Sequence, residues 1–460
     1  MQDVRAAAPV SARALQQWYG ADPYARKTGL YSYHDPALAI HWGDLSQAGR
    51  NLVNSALVLF GQRDRMQDIS RWWNSANAIT ALIGYMSVTG DRSYLEPVVA
   101  NTFARAPGTH RPVYRGYFSP SRPYLRLSRG RYPGFINGFY DDEGWWALAW
   151  IDAYDLTGDE RYLAAADGIF RDMAGSWDEF LGGGIYWGKN DGRPDRAGAC
   201  AVPRGWAGGY KNAIANELFV AAAAALGLRY RGREPAGAGQ GEYLDWALRG
   251  WKWFSSAPPG GIAMINEAGL VNDSPNRAGV NDNSQSVWSY NQGVILSGLA
   301  ALTELTGDES YLGWAGKIAD SFIRNPWRPR AGSDGGSAHP SESGVINGIL
   351  HEHNDCGPGG GNPARLPGVD STLFKGIFVR HLARLYQKCG KPAYQQFILA
   401  NAESALAHAS EQHLFGGNWA AAPDAADFVR QTAGLDLINA ALLVTADGQA
   451  NFQIPGKEQA

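Results

Sequence analysis

One short motif recurs along the chain and constrains its fold more than any other feature. "TGDRSYL" begins at Thr89, "TGDERYL" at Thr157 and "TGDESYL" at Thr306, and weaker copies, "GEYL" and "GKPAY", lie at 241–244 and 390–394. Each copy follows one apolar stretch with helical periodicity and precedes another. Glycine suits the end of a helix and aspartate the start of the next one. The repeat therefore predicts a series of helical hairpins joined by Thr-Gly-Asp turns.

The predicted hairpins are numerous enough to close a ring. First helices are predicted near 72–88, 143–156, 210–229, 287–305 and 371–388, with a sixth in "DFVRQTAGLDLINAALLVTA". Second helices are predicted near 92–104, 160–173, 241–254, 309–323 and 392–408, with a sixth around "ARALQQWYG". Six inner and six outer helices make an all-α fold, an (α/α)6 toroid, as one catalytic domain over residues 1–460. The segment "DLSQAGRNLVNSALVLFG" does not fit this count and stays unassigned.

Charge and hydropathy exclude several kinds of partner. The formal net charge is -3 and no run of Lys or Arg occurs, so nucleic acid is not expected as a partner. No apolar run approaches the roughly 18 residues that span a bilayer. The first twenty residues lack a basic segment followed by an apolar one, which leaves open a cytoplasmic protein or a removed leader. We predict a monomer that is secreted or located in the cell envelope. A Cys200–Cys356 bridge and unlinked thiols are both compatible with three cysteines.

The loops that precede the first helices share an unusual composition. They include "ISRWWNSANA", "NGFYDDEGWW", "GGGIYWGKN", "NDNSQSVWSYNQG" and "GVDSTLFKG", all rich in Asn, Asp, Gly, Trp or Tyr. In a helical ring these loops gather at one end of the lumen. Aromatic rings stack on the C–H faces of sugars, while amides and carboxylates bind hydroxyl groups. The loops therefore predict a site for a polyhydroxylated ligand.

Two adjacent aspartates, Asp141 and Asp142, stand immediately before the pair Trp145 and Trp146. One interpretation is structural, since acidic residues cap helices and complement the helix dipole. The other is a reaction centre, in which the indole rings exclude water and separate the pKa values of the two carboxyl groups. Glycoside hydrolysis uses such a pair, and neighbouring residues reach the roughly 5–5.5 Å separation of retaining enzymes more readily than the wider one of inverting enzymes.

The ordered set of motifs resembles glycoside hydrolase family 76, the endo-α-1,6-mannanases and related fungal cell-wall proteins. The matching stretches are "RWWNSANAITALIGYMSVTGD", "NGFYDDEGWWALAWIDAYDLTGD", "GGGIYW", "YKNAIANELF", "WSYNQGVILSGLA" and "DSTLFKGIFVRHLARL", which span about residues 70–410. The resemblance implies a retaining enzyme acting on α-1,6-linked mannan, with Asp141 as nucleophile and Asp142 as general acid/base. It also implies an α-mannan substrate and no cofactor.

Further residues of the same loops are candidates for binding substrate. They are Trp73, Tyr186, Trp187, Asn212, Asn216, Tyr290, Asn291, Asp370 and Lys375. Each has a structural alternative: the aromatic rings can pack against helices, the two asparagines can pair with each other, and Asp370 with Lys375 can form an internal ion pair. "GGGIYWG" is equally compatible with a β-turn.

Other activities have weaker sequence support. "HEHND" places His351 two residues from His353, but no third ligand stands at a useful spacing, so no metal site is predicted. A sugar isomerase or epimerase would need histidines at the rim, where only these two are candidates. A transglycosylase would share the carboxylate chemistry, and a non-catalytic glycan-binding toroid would gain little from the aspartate pair. No nucleotide-binding glycine motif occurs.

Overall fold

The computed structural model describes residues 2–19, 29–31, 63–107, 133–189, 210–232, 240–276, 279–283, 286–327, 343–352 and 370–445. Within these ranges the first six α-helices are α1 Gln2–Leu15, α2 Arg63–Thr89, α3 Asn101–Arg105, α4 Tyr140–Thr157, α5 Glu160–Ala174 and α6 Ala213–Arg229. The other six are α7 Gln240–Ser255, α8 Ser289–Thr306, α9 Ser310–Ile323, α10 Phe374–Cys389, α11 Pro392–His408 and α12 Phe428–Leu443. A short antiparallel hairpin pairs β1 Gly344–Ile346 with β2 Ile349–His351.

The helices form two concentric rings. The inner helices are α2, α4, α6, α8, α10 and α12; each packs against the next, and α12 returns to α2. On the outside, α5, α7, α9 and α11 each pack on the inner helix that precedes them, while α1 packs on α12. The segment Leu95–Ala100, which leads into α3, packs on α2. The predicted all-α (α/α)6 toroid is confirmed, including the N-terminal helix as the sixth outer partner.

Burial follows the two rings. Every residue of α12 is buried, as expected for a helix enclosed on all sides. The outer helix α5 buries a single stripe at helical spacing, which includes Leu163, Ala166 and Phe170. The core therefore lies between the rings and along the inner helices, and the outer helices present their polar faces outward.

The Thr-Gly-Asp turns have the predicted geometry. Gly158 ends α4 with φ of 72° and donates its N–H to the Tyr154 carbonyl, a left-handed conformation that glycine adopts without a Cβ penalty. Asp159 caps α5 by accepting the N–H of Arg161 at 3.0 Å. Gly307, with φ of 76°, ends α8 in the same way. The repeat is thus structural at these positions.

Three helices differ from their predicted bounds. α2 starts at Arg63, nine residues ahead of the predicted 72. The helix predicted at 92–104 begins as a π-helical segment, Leu95–Ala100, in which the N–H of Val99 bonds to the Tyr94 carbonyl at 3.2 Å. Pro97 lies inside that segment and has no N–H for a regular helical ladder. The N-terminal helix, predicted around 12–20, is α1 Gln2–Leu15 and so begins about ten residues earlier. The other nine helices begin and end within three residues of expectation, and the unassigned segment at 44–61 lies outside the described residues.

Charged side chains of the inner helices meet inside the ring. Arg380 of α10 donates to Asp436 of α12 at 3.2 Å and to Asn77 of α2 at 2.6 Å. Arg384 of α10 pairs with Asp152 of α4. Burial raises the pKa of Asp436 to about 7, although Arg380 lowers it. Arg384 thus links α10 to α4 on the opposite side of the ring, whereas Arg380 links α10 to the neighbouring α12 and to α2.

Gly376 in α10 provides a test of how closely the inner helices pack. A Cβ at this position would lie 2.6 Å from the backbone Cα of Ala433 in α12, so the two helices must separate to admit it. We expect Gly376→Ala to lower the free energy of unfolding by about 2–3 kcal/mol. Gly313→Ala in the outer helix α9, where nothing lies within 4 Å, should instead add about 0.5–1 kcal/mol. Chemical denaturation of both variants measures the contrast, and equal changes would contradict the packing described.

Candidate active site

Asp141 and Asp142 lie in the first turn of α4, at the end of the ring where the inner helices begin. The helix is capped by Phe139, which makes no side-chain cap, so neither aspartate occupies the N-cap position. Asp142 is buried and Asp141 is partly exposed. The two carboxyl groups therefore differ in environment although they are adjacent in sequence.

Asp141 accepts two hydrogen bonds that favour its ionised form. The indole Nε1 of Trp187 donates to Oδ2 at 2.9 Å, and the backbone N–H of Asp142 donates to Oδ1 at 2.9 Å. Trp187 is itself held between the rings of Phe139 and Tyr210, with centroid distances of 4.8 and 5.7 Å. A carboxylate that accepts N–H donors at a helix N-terminus is stabilised as an anion.

Asp142 is held by a residue that sequence reasoning missed. Asn137 donates its side-chain N–H to Oδ2 of Asp142 at 2.6 Å. The backbone N–H of Asn137 in turn donates to Glu143 at 2.9 Å. The loop also pairs with the chain at 187–189, since the N–H of Tyr140 donates to the carbonyl of Trp187 at 2.9 Å. The motif "NGFYDDE" contains this network, but the sequence does not show which side chain turns back towards which.

A third carboxyl group faces the same end of the ring and was also missed. Asp273 accepts hydrogen bonds from Tyr210 and Asn291, both at 3.1 Å. Burial raises the pKa of Asp273, and these two bonds oppose the rise. Tyr210, which donates to Asp273, packs on Trp187, which donates to Asp141, so these groups lie at one mouth. Burial, then Asp273, then Asp141 raise the pKa of Tyr290 at the same mouth. The available signal was the pair Asn272–Asp273 in "LVNDSPN", a few residues ahead of the polar loop that leads into α8.

Aromatic rings line this mouth. Tyr290 stacks on Phe374 with centroids 3.7 Å apart and planes 2° from parallel, and it approaches Trp145 at 6.5 Å. Trp73 is buried against Trp145 at 5.9 Å, so it forms part of the wall behind the partly exposed rings. The side chains that retain exposure here are Asp141, Trp187, Tyr210, Asp273, Trp288 and Tyr290.

Other predicted ligands have their polar groups engaged within the protein. Asn216 is buried and binds both backbone groups of Ile185, at 2.8 and 3.0 Å. Asn212 caps α6 by accepting the N–H of Ala215 at 3.3 Å. The hydroxyl of buried Tyr186 donates to Asp178 at 2.7 Å. These contacts give the three side chains a structural role, and their contact with sugar stays a prediction.

Lys375, predicted together with Asp370, also has its polar group engaged within the protein. Lys375 is fully buried, donates to the Gly417 carbonyl and lies 4.6 Å from the ring centre of Trp419. Asp370 begins the 3-10 helix Asp370–Leu373, and its side chain lies outside the described part of the chain. Sugar contact by Lys375 would require it to leave these partners.

Lys211 organises the loop that carries Trp187. It is fully buried and donates to Asp178 at 2.7 Å, to the Phe180 carbonyl at 2.8 Å and to the Gly183 carbonyl at 2.7 Å. Its ammonium group also lies 4.7 Å from the ring centre of Tyr186. Lys211 was not among the predicted residues, because a lone lysine in "GGYKNAIANE" carries no signal of its own.

The described ranges contain neither a cluster of metal-ligating side chains nor a membrane-spanning helix. No group of three or more His, Cys, Asp or Glu side chains there is arranged to hold a metal ion. His351 is buried, and burial lowers its pKa to about 4, so it is neutral near pH 7. His353, Cys200 and Cys356 lie outside those ranges. No helix of the described chain is long and apolar enough to cross a bilayer.

The fold and mouth define a class of protein. An (α/α)6 toroid with adjacent, differently held carboxyl groups and partly exposed aromatic rings at one end has the makeup of a carbohydrate-active protein. More specifically, the chain belongs to glycosyl hydrolase family 76, whose family model matches residues 54–452.

Two fungal relatives share the sequence over part of their length. Mannan endo-1,6-alpha-mannosidase DFG5 of Candida albicans is 27% identical over 265 residues, which are 55% of this chain and 49% of that protein. Mannan endo-1,6-alpha-mannosidase DCW1 of Saccharomyces cerevisiae is 23% identical over 366 residues, which are 76% of this chain and 66% of that protein. The chain thus spans about half to two thirds of the length of these curated relatives.

A solved structure agrees with the fold. The GH76A alpha-1,6-mannanase from Salegentibacter sp. HEL1_6 superposes with a TM-score of 0.62 at 21% identity, covering 95% of this chain and 99% of that one. An inactive variant of that enzyme, with two adjacent aspartates replaced by asparagine, has been solved in complex with alpha-1,6-mannotriose and superposes with a TM-score of 0.61. At this identity the likeness establishes the toroid.

Proposed function

We propose that this protein is a retaining endo-α-1,6-mannanase in which Asp141 is the nucleophile and Asp142 the general acid/base. The observation that carries the proposal is the adjacent pair at the mouth, where each carboxyl group has its own set of partners. The mannan linkage is taken from relatives whose names state it. The inactive aspartate variant of the Salegentibacter enzyme supports the assignment of catalysis to an adjacent pair.

The proposed reaction has two displacement steps. In the first, a carboxylate oxygen of Asp141 forms a bond to the anomeric carbon while the glycosidic C–O bond breaks, and Asp142 gives its proton to the departing oxygen. In the second, Asp142 takes a proton from water, the water oxygen attacks the anomeric carbon, and the bond to Asp141 breaks. Two inversions return the α configuration. Each carboxyl group ends in its starting protonation state.

The environments of the Asp141 and Asp142 carboxyl groups suit the roles of nucleophile and general acid/base. Asp141 accepts N–H donors from Trp187 and from the helix backbone, which favours the anionic nucleophile. Asp142 is more deeply buried, which favours a group that holds a proton at neutral pH. We assign the sugar platform to Trp187 and Tyr290, and hydroxyl binding to Asp273 with Asn291, which donates to it. Trp73 forms the wall behind them.

The substrate, the cellular location and the oligomeric state are also proposals. We infer a mannan polymer or oligosaccharide as substrate, a secreted or cell-envelope location and a monomeric catalytic unit. The fungal relatives, whose names refer to mannan, support the location. Transfer of the mannosyl group to a sugar acceptor in place of water would use the same first step, so product analysis must separate transfer from hydrolysis.

Proton NMR of the first products tests the proposal directly. We expect linear α-1,6-mannotetraose to be cleaved with the α-anomer formed first, before mutarotation mixes the anomers. Longer oligosaccharides among the products would instead indicate transfer to sugar. A β-anomer formed first would exclude the two-step mechanism, and no cleavage of α-1,6-linked oligosaccharides or polymer would exclude the mannanase.

A further inference from the structure

Asn137 makes three hydrogen bonds that leave its amide no freedom to rotate. Its Oδ1 accepts the backbone N–H of Phe139 at 2.9 Å, and its Nδ2 donates to Asp142 Oδ2 at 2.6 Å. Its backbone N–H donates to Glu143 Oε1 at 2.9 Å. The bond from Phe139 fixes which end of the amide is oxygen, so the donor end must face Asp142. Asn137 is fully buried, and water does not compete for these bonds.

A second layer holds Asn137 in place. Lys189 lies 2.8 Å from Glu143 Oε1, the same oxygen that accepts the Asn137 backbone. Lys189 also pairs with Asp172 of α5 and lies 4.5 Å from the ring centre of Tyr140. Burial lowers the pKa of Lys189, but Glu143 and Asp172 outweigh it and keep the lysine charged. The loop at 133–139 is thus tied to α4 and α5 from both sides.

We propose that Asn137 positions the acid/base Asp142 and determines which of its oxygens carries the transferred proton. This rests on the proposed function, in which Asp142 protonates the leaving oxygen. Oδ2 accepts the amide N–H in both protonation states, so the proton sits on Oδ1. It passes from Oδ1 to the glycosidic oxygen in the first step and returns there from water in the second. The amide N–H of Asn137 is not transferred and stabilises the carboxylate left between the two steps.

Asn137→Asp is the sharpest variant, because it keeps the shape and the Phe139 contact but replaces the donor to Asp142 with a carboxyl oxygen. Two carboxyl groups at the 2.6 Å that separates residue 137 from Asp142 share one proton, and this sharing raises the pKa of that proton. We expect the alkaline limb of kcat/KM to move up by about one pH unit or more. Asn137→Ala, which only removes the donor, should move it in the same direction by a smaller amount.

The other charged groups around this end of α4 stay unchanged in both variants. They are Asp141 and Glu143 on the helix, Asp172 on α5, Lys189, and across the mouth Asp273, Tyr210 and Tyr290. A shift in the alkaline limb of the kcat/KM profile therefore reports the contact between residue 137 and Asp142.

A pair of substrates separates proton transfer from general damage. An α-1,6-mannobioside with a nitrophenolate leaving group needs no proton in the first step, whereas α-1,6-mannotetraose does. Both variants should lose about 10–100-fold in kcat/KM on the tetraose and less than about 3-fold on the nitrophenyl substrate.

Asn401→Ala is the matched control. Asn401 is another fully buried asparagine that clamps loop backbone, accepting the Leu350 N–H at 2.8 Å and donating to the Gly348 carbonyl at 3.0 Å. This change should lower the free energy of unfolding without moving the alkaline limb of the kcat/KM profile. It should also leave the ratio of kcat/KM on the two substrates unchanged. Equal losses on both substrates with an unmoved limb in Asn137→Asp and Asn137→Ala would overturn the positioning role. Wild-type protein inactive on both substrates would instead refute the proposed function.

Discussion

Asp141→Asn is expected to lower kcat/KM on α-1,6-mannotetraose by at least about 1,000-fold, because the amide cannot form the bond to the anomeric carbon. Asp142→Asn should lose a similar factor on this substrate, since the amide has no acidic proton to give to the leaving oxygen. Binding should survive in both variants, because the aromatic platform and Asp273 remain. Steady-state kinetics and calorimetric titration with α-1,6-mannotriose measure the two properties separately.

The control for these variants is Asp159→Asn, in the turn at the other end of the same helix. Asp159 caps α5 and forms an exposed pair with Arg161. Asparagine also caps helices well, so activity should change less than about 2-fold and stability by less than about 1 kcal/mol. Retained turnover in either Asp141→Asn or Asp142→Asn, with the fold intact, would show that the reaction centre lies elsewhere at the mouth.

Lys211→Met should be the most destabilising single change away from the carboxylates. The fully buried ammonium group donates to two backbone carbonyls and to Asp178 at once, and methionine removes that donor from all three acceptors. We expect the free energy of unfolding to fall by about 3–5 kcal/mol. Activity should fall as well, because the same loop carries Trp187 to Asp141. Thermal and denaturant unfolding followed by circular dichroism measure the loss.

Lys391→Met is the matched control for Lys211→Met. Lys391 pairs with Asp320 but its side chain is 40% exposed, so its loss should cost less than about 1 kcal/mol. Similar losses in the free energy of unfolding for Lys211→Met and Lys391→Met would show that burial of Lys211 does not account for its contribution.

The contribution of Lys211 also has a predictable pH dependence. Burial raises the pKa of Asp178, but hydrogen bonds from Lys211 and Tyr186 outweigh it and hold the pKa below its usual range. A carboxyl group with a lowered pKa stabilises the fold above its unfolded value, near 4, and loses that contribution as the pH falls through the folded value. The difference between wild type and Lys211→Met should therefore narrow below about pH 4.

The repeat made the fold predictable to within a few residues at most helix ends. Thr-Gly-Asp specifies both the end of one helix and the cap of the next, so local chemistry determined the turns at Gly158 and Gly307. The irregular start of the helix after Thr89 was not predicted, because it depends on how Pro97 is accommodated in a π-helical turn.

The site was less predictable than the fold. Asn212 and Asn216 were candidates for binding sugar, but their side chains contact Ile185 and the start of α6, which depends on how a distant loop packs. Asn137, Lys211 and Asp273 were missed because each acts through a contact between segments far apart in sequence or through a reversed loop. Side-chain direction in loops is set by the tertiary structure, which spacing along the chain does not reveal.

The buried ion pairs inside the ring bear on how a polymer can approach the protein. Arg384 of α10 pairs with the partly buried Asp152 of α4 on the opposite side of the ring, and the buried Arg380 binds Asp436 of the neighbouring α12 and Asn77 of α2. Opening a passage there would leave unpaired charges in the interior, at a cost of several kcal/mol for each. A long glycan therefore cannot be threaded through the ring from end to end. Under the proposed function, the mannan chain lies across the mouth with both of its ends outside, which allows a cut at an internal linkage without a free chain terminus.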